Sequence, residues 1–439
     1  MASIDTPMNA GPLAAASWRD YIKVTRIGVF SVFFILVGLL ILLTVPQSVA
    51  PGAITTLTFG TAPDGSIIAL PVTVVPYMTA VALVYIASGV FGLLPRENLR
   101  RYKLWLLLLC AALIFPSVLT LAAVGQSTSA VTMLGSSLRL ATPIVLGALA
   151  GIWCERAGVV NIAIEGMMLT GAAFGFLAFS LLNPGVIAHA QTALWVGVLV
   201  AVLAGGVMAA LHAWLSITFK TNQIVSGTVI NILAVGLTSF LRREVLLSSQ
   251  DAGRETLNAL RIPILSDIPV VGQELFTAKP IFFMMFILLV LTHIVLFYTR
   301  WGLRTRSVGE NPHAADTLGI RVNRTRWINV IIGGLIAGLA GAWLSLETTG
   351  TFDDNMTAGR GFIALAAMIF GKWMPFGAFG GGLLFGFSSA LETRFQILGV
   401  PLPPQFLQMT PYIVTMVVLA GLVGRAAAPK ADGVPYEKE

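Results

Sequence analysis

Residues 299–327 read TRWGLRTRSVGENPHAADTLGIRVNRTRW and lie between two apolar runs. This polar stretch carries six Arg and no Lys. Its centre contains helix signals, because Asn311 can cap a first turn, Pro312 suits the first helical position and Gly319 suits a left-handed stop. The pattern predicts a short helix over residues 312–318, which at about two turns needs docking to be stable. The alternative is an ordinary basic loop of a membrane protein.

Composition assigns the chain to the membrane proteins. Of its 439 residues, 56% are hydrophobic and 11% are charged, and the mean hydropathy is +0.86. These values are typical of an all-α, polytopic protein in a lipid bilayer. The net charge of +7 is not a nucleic-acid signal, since Lys and Arg lie mainly between apolar runs. No nucleic-acid partner is expected.

The apolar runs have the length that a spanning helix needs, about 17 to 25 residues. They predict twelve crossings, or about ten if short Gly-rich runs such as 376–391 are re-entrant. The predicted spans are 27–45, 72–94, 104–124, 134–153, 157–182, 192–219, 223–241, 280–298, 328–346, 355–370, 376–391 and 407–423.

Charge then orients these spans. The alternation leaves 19 of the 27 Lys and Arg on one side, which the positive-inside rule makes the cytoplasm. Both termini are expected there. The predicted organisation is a cytoplasmic tail 1–26, three helices within 27–124, a core 125–425 with an external loop 242–279 and a cytoplasmic loop 299–327, and a cytoplasmic tail 426–439.

The polar loop also carries a resemblance. Its pattern is similar to the coupling loop of ABC-importer permeases that take up branched-chain amino acids, monosaccharides and nucleosides. The residues that carry it are Gly302, Arg304, Arg306, Gly309, Asn311, Ala314, Ala315, Gly319 and Ile320. The resemblance implies that the short helix sits in a groove of a separate ATP-binding subunit, with Arg304, Gly309, Asn311, Ala314, Ala315 and Gly319 as coupling residues.

Two further stretches resemble signatures of this group. Residues 155–169, ERAGVVNIAIEGMML, look like the signature of its nucleoside branch, and residues 358–373, AGRGFIALAAMIFGKW, look like a later one. Aligned without gaps, they share five identities, from Ala157/Ala358 to Met167/Met368. They run in opposite directions in the predicted topology, as in an inverted repeat. Chance similarity among small residues is the alternative.

Asn161 and Glu165 are the polar candidates for a substrate pathway. They are four residues apart, and a helix would place them on one face. An intramembrane carboxylate needs a partner or a wet cavity. The alternative is structural: they join helices or satisfy backbone freed by glycines. Phe174, Trp343 and Phe362 could stack on a nucleobase, or belong to the core and interfacial belt.

The chain has no GxxxxGK[ST] motif, since its Gly371-Lys372 is followed by Trp373. No cofactor or metal is expected on this chain, and ATP would be used by a partner. The resemblance further implies a second permease subunit, an extracytoplasmic substrate-binding lipoprotein and a bacterial cytoplasmic (inner) membrane. An ion-coupled secondary transporter is the alternative class, and motifs for an embedded enzyme are missing.

Overall fold

A computed structural model of the protein describes residues 26–61, 67–94, 97–183, 186–187, 189–246, 255–399, 405–406, 409, 412 and 427–438. Four predictions fall wholly or partly outside these residues. They are the cytoplasmic tail 1–26 apart from its last residue, the span 407–423 apart from two residues, residues 247–254 of the external loop, and the first and last residues of the cytoplasmic tail 426–439.

Helices make up most of the described chain. Their bounds are α1 Arg26–Ser48, α2 Val74–Leu93, α3 Arg100–Ala122, α4 Ala130–Glu155, α5 Ile164–Leu182, α6 Ala190–Ala213, α7 Gln223–Leu241, α8 Gly272–Phe276, α9 Pro280–Tyr298, α10 Arg300–Glu310, α11 Pro312–Thr317, α12 Val322–Ala342, α13 Arg360–Phe370 and α14 Pro375–Ile397. Three of them continue as π-helical turns: α6 through Trp214–Thr218, α7 through Arg242–Leu246 and α12 through Trp343–Thr349. Nine helices in the described ranges are long and apolar enough to cross a membrane, namely α1 to α7, α9 and α12. This confirms the predicted polytopic helical fold.

The strands are short. β1 Ile54–Thr61, β2 Ile67–Thr73 and β3 Ser127–Ser129 form a sheet in the order β2-β1-β3. β1 and β3 are parallel, and Thr56 pairs with Ser127. β4 Leu260–Arg261 and β5 Thr277–Ala278 form an antiparallel pair just before α9.

The chain divides into two compact units. The first, residues 1–55 and 72–125, contains α1, α2 and α3. Its centre is the buried Tyr85 ring, which packs against Phe34 at a centroid distance of 5.2 Å and lies in one cluster with Cys110. A Cβ on Gly38 would lie 2.8 Å from the carbonyl oxygen of Ala82. Only a glycine therefore allows α1 and α2 to approach this closely.

The second unit, residues 56–71 and 126–439, has α4, α5 and α12 as its most buried long helices. Small residues allow these helices to pack closely. A Cβ on Gly341 of α12 would lie 2.1 Å from the carbonyl oxygen of Met168 on α5. A Cβ on Gly205 of α6 would lie 2.6 Å from the Cα atom of Gly338. Backbone meets backbone at both crossings.

The predicted span 355–370 is wrong. α13 has 11 residues, which at ~1.5 Å per residue cover about half of a ~30 Å hydrocarbon layer. The reason is backbone geometry, because Asn355, Ala358 and Gly359 have φ values of 54°, 47° and 80°. A right-handed helix cannot pass through them, so it begins at Arg360.

The predicted start of α5 is also wrong. The helix begins at Ile164, not at residue 157, since Gly158 has a φ of +81° and the chain is irregular from there to Ala163.

The polar loop contains more helix than the one short helix predicted for it. α10 occupies its first part and is capped by Thr299, whose hydroxyl accepts from the Gly302 amide at 3.3 Å.

Candidate functional site

Glu165 joins α5 to the half-length helix α13. Its Oε1 accepts from the Gly359 amide at 2.8 Å and its Oε2 from the Gly361 amide at 2.6 Å. A Cβ on Gly361 would lie 2.6 Å from the Cα atom of Glu165, so the contact requires glycine. The carboxylate thus caps the positive end of α13 and satisfies amides that a helix start leaves free. This geometry matches the structural alternative, in which the carboxylate serves backbone freed by glycines.

Asn161 does not share a helical face with Glu165, because it precedes α5. It is fully buried. Its Nδ2 lies 3.2 Å from the Cys154 sulfur and 3.7 Å from the Met167 sulfur. Its Oδ1 is buried and has no hydrogen-bond partner within the described ranges. The structure therefore separates the two residues that the sequence paired.

The irregular segment before α5 is held by side chains from α6 and α7. The Val160 amide donates to Gln223 Oε1 at 2.7 Å, and the Val160 carbonyl lies 3.0 Å from His212 Nε2. Asn231 accepts from the Gly166 amide at 2.8 Å and donates to a carbonyl of the segment. These bonds satisfy a stretch of backbone that has no helix or strand partners.

The two signature stretches lie antiparallel. At one end the Trp373 indole donates to Glu155 at 2.6 Å, and at the other Glu165 caps Gly359. Gly158 and Gly359, aligned in the sequence comparison, have φ values of 81° and 80°. The matched backbone turns agree with an inverted arrangement, while common ancestry of the two halves stays a prediction.

A cavity of ≈ 570 Å³ lies at the opposite end of α9 from the polar loop. It is within the size range of small-molecule sites. The lining residues are Thr132, Met133, Ser136, Arg139, Leu140, Ala259, Thr277, Ala278, Lys279, Phe282, Trp343, Glu347, Thr348, Ala390, Thr393, Arg394 and Ile397. Hydroxyls, three cations, one carboxylate and aromatic rings therefore meet in one space.

Glu347 organises this cavity. Its carboxylate accepts from the Ile281 amide at 2.6 Å and the Phe282 amide at 3.3 Å, and so joins the end of α12 to the start of α9. Lys279 donates to the carbonyl of Glu347 and, at 2.8 Å, to the Thr256 hydroxyl. Burial lowers the pKa of Lys279, and the Glu347 charge opposes that shift.

Two arginines complete the polar wall. Arg139 forms an ion pair with Glu274 at 2.9 Å, and Thr132 donates to the same carboxylate at 3.0 Å. Arg394 uses its Nε to donate to Thr128 at 2.9 Å. No acceptor for its two Nη atoms occurs in the part of the chain that the structure describes.

Of the three predicted aromatic residues, one lines the cavity. Trp343 is 5% exposed and lines the cavity. Phe174 is half-buried on α5, and Phe362 is 49% exposed on α13. Of the five predicted pathway residues, Trp343 alone lines the cavity.

The polar loop forms its predicted helix. Asn311 Oδ1 accepts from the Ala314 amide at 3.1 Å, Pro312 is the first helical residue, and Gly319 has a φ of +81°. α11 ends at Thr317, within one residue of the prediction. Asn311 and Ala314 are exposed, whereas Ala315 is 2% exposed.

The loop is fixed to the core at two points. Asn329 Nδ2 donates to Thr305 Oγ1 at 3.2 Å, joining α10 to α12. A Cβ on Gly309 would lie 2.3 Å from the carbonyl oxygen of Arg156, so glycine is required at this approach. Arg304 stays exposed. The predicted coupling residues thus divide into exposed side chains and close-packed supports.

Residues 133–423 match the family described as branched-chain amino acid transport system / permease component. The chain belongs to this permease family. It is 42% identical over 309 residues to the nucleoside ABC transporter permease protein NupC of Lactococcus lactis, covering 70% of this chain and 96% of the relative. The guanosine ABC transporter permease protein NupQ of Bacillus subtilis is also 42% identical, with 69% and 95% covered. The putative glucose ABC transporter permease protein TsgC13 of Haloferax volcanii is 33% identical, with 70% and 98% covered. No solved structure shows significant similarity to the chain.

This permease is therefore a multi-pass membrane protein, and its matched region lies within the second unit. Sequence reasoning missed the polar residues of its cavity, Arg139, Lys279, Glu347 and Arg394. One signal was available. Lys279 directly precedes one apolar run and Glu347 ends the next, so two opposite charges fall at the same end of consecutive spans.

Proposed function

We propose that this chain is the membrane subunit of an ABC importer that takes up nucleosides. ATP is bound and hydrolysed by a separate subunit that docks on α11, and this chain carries no cofactor. A second permease chain and an extracytoplasmic substrate-binding lipoprotein complete the assembly. The membrane is the bacterial cytoplasmic membrane, and both termini and the polar loop face the cytoplasm, as the distribution of Lys and Arg favours.

One observation carries the proposal: α9 and α12 connect the exposed loop helix directly to the cavity. α9 begins at Pro280, so that its first turn places Phe282 in the cavity wall, and it ends at Tyr298, next to the loop. α12 begins at Val322 within the loop, and its π-helical continuation carries Trp343 and Glu347 into the cavity wall. The two helices are joined at the cavity by Glu347, and at the loop end Thr305 binds Asn329. Movement of α11 by a partner would therefore be transmitted to the cavity through the helices α9 and α12.

The chemistry of the cavity supports a nucleoside as substrate. A nucleoside has a planar base and a hydroxylated sugar without net charge. Trp343 and Phe282 supply apolar rings for the base, where stacking contributes about 1 to 3 kcal/mol. Thr132, Thr393 and the Nη groups of Arg394 supply partners for hydroxyls and base carbonyls. The two relatives at 42% identity carry nucleoside and guanosine in their names.

The length of α13 supports a second permease chain. The helix begins after the irregular residues 351–359 and has 11 residues, too few to cross a ~30 Å hydrocarbon layer alone. Where irregular backbone enters the membrane, it must be covered by protein or line a wet cavity. Ala358 and Phe362 are exposed on the single chain. A second permease chain that covers this face would place a pathway between the two subunits.

The test is uptake by the complete transporter in proteoliposomes, with guanosine, adenosine and uridine against ribose, glucose and leucine. We expect ATP-dependent uptake of at least one nucleoside. Trp343→Ala should raise the concentration for half-maximal uptake, and Trp343→Phe should restore it. Uptake of a sugar alone would favour the monosaccharide alternative, which the 33% identical relative with glucose in its name keeps open. Uptake without ATP, driven by an ion gradient, would refute the importer class.

A further inference from the structure

The C-terminal segment, residues 427–438, lies against the polar loop and the core of the second unit. The Ala431 amide donates to the Gly309 carbonyl at 2.9 Å. Arg326 Nη1 donates to the Val434 carbonyl at 2.9 Å. Glu437 pairs with Lys220 at 2.7 Å, beyond the π-helical end of α6. The segment thus crosses four parts of the unit: the loop, α12, the end of α6 and the turn after α4.

The apolar contact is made by Tyr436. It is 6% exposed and forms one cluster with Val308 of α10, Ala315 of α11 and Val322 of α12. The His313 ring lies 5.2 Å from the Tyr436 ring, centroid to centroid. Ala315 is the buried side chain of α11 apart from Pro312. The face by which the short helix rests on the protein therefore includes the Tyr436 ring.

A buried polar cluster fixes the other end of the segment. Asp432 faces Glu155 at the end of α4, and the Arg326 guanidinium is the cation close to both the segment and Asp432. Arg326 is 1% exposed, and its Nε and Nη2 have no hydrogen-bond partner among the described residues. A Cβ on Gly158 would lie 3.0 Å from the Ala431 carbonyl oxygen. At this end of the segment, both its side chains and its backbone therefore pack closely against the rest of the unit.

We propose that the C-terminal segment is a brace that positions α11, so that force from the ATP-binding subunit moves α9 and α12 instead of displacing the helix alone. The reason that α11 needs such a brace is its short length. A six-residue helix is not stable by itself in water and keeps its place only through docking. Its capping bond to Asn311 is local, so it fixes the start of the helix but not its position on the protein. Tyr436 and the bond from Ala431 to Gly309 supply that position. The coupling role rests on the proposed function, whereas the bracing role does not.

The first experiment measures hydrogen–deuterium exchange of residues 309–322 in the full-length permease in detergent. Tyr436→Ala should speed exchange of the α11 amides by at least about tenfold, since local opening no longer has to break a buried contact. Tyr436→Phe keeps the ring and should retain most of the protection that Tyr436→Ala loses. Glu437→Ala is the matched control on the same segment, because its exposed ion pair with Lys220 contributes little. Unchanged exchange in Tyr436→Ala would refute the brace.

The second experiment measures substrate-stimulated ATPase activity and uptake in the assembled transporter. Tyr436→Ala should retain the ATP-binding subunit but lose at least about half of the uptake per ATP hydrolysed, and Tyr436→Phe should rescue it. Monodisperse elution and unchanged exchange in α4 and α5 would exclude general misfolding. Faster α11 exchange with a normal uptake-to-ATP ratio would refute the coupling role. If the wild-type transporter itself shows no ATP-dependent uptake, the proposed function fails, and the exchange experiment still decides the brace.

Discussion

Replacing the Glu165 carboxylate tests whether this residue is structural. Glu165→Gln keeps the shape but leaves one acceptor oxygen for two amides, those of Gly359 and Gly361. A hydrogen bond to a charged group contributes about 1.5 to 3 kcal/mol, and interhelical bonds in membranes average nearer ~0.6 kcal/mol. We therefore expect the free energy of unfolding to fall by ~1 to 3 kcal/mol. Glu165→Ala removes both bonds and should cost about twice as much.

The assay is unfolding of the purified permease in detergent, followed by tryptophan fluorescence, together with uptake per folded transporter. Glu392→Gln is the matched control, because this carboxylate bonds only the exposed Gln396 side chain in the described chain. It should change stability by less than about 0.5 kcal/mol. Gly361→Ala should destabilise the protein as Glu165→Ala does, since a Cβ would lie 2.6 Å from the Glu165 Cα atom. Normal stability of Glu165→Gln with lowered uptake would refute the structural role and favour a group that lines the pathway.

Three further predictions concern the membrane topology, the short helix α11 and the C-terminal segment. A reporter fused after Lys220 should read cytoplasmic and one inserted within residues 255–279 should read external, and a cytoplasmic signal from the latter would overturn the topology. Ala315→Glu should unfold α11, because Ala315 is buried. Ala314→Glu at the exposed neighbouring position should leave α11 folded and weaken co-purification of the ATP-binding subunit. Equal effects of the two variants would contradict the assignment of Ala315 to the protein interior and Ala314 to the partner surface. Burial raises the pKa of Asp432 from 3.8 to about 7, so the docked segment holds a proton that the free one releases. Its docking should weaken as pH rises from about 4 to about 7, measured by exchange of residues 427–438. Asp432→Asn should reduce this dependence, and the Glu155 carboxyl that faces Asp432 accounts for what remains.

The sequence alone was sufficient for features that depend on local interactions. The loop helix could be predicted because its cap, its first proline and its terminating glycine lie within nine residues, from Asn311 to Gly319. The bond that confirms it joins residues three apart. Most spans could be placed for a similar reason, since apolar length is a property of a continuous segment. The family resemblance, too, rested on contiguous motifs.

The tertiary structure decided the features that join distant parts of the chain. The Glu165 carboxylate and the Gly361 amide are 196 residues apart in sequence, and the Arg326 side chain and the Val434 carbonyl are 108 apart. No local pattern shows that a carboxylate will meet a helix start, so the half-length of α13 and the role of Glu165 could not be read from periodicity. Ala315 likewise looked like a contact for a partner until Tyr436 was found against it. The physical reason is that hydrophobic and backbone patterns specify which segments form helices, whereas the positions of buried polar groups depend on which helices pack together.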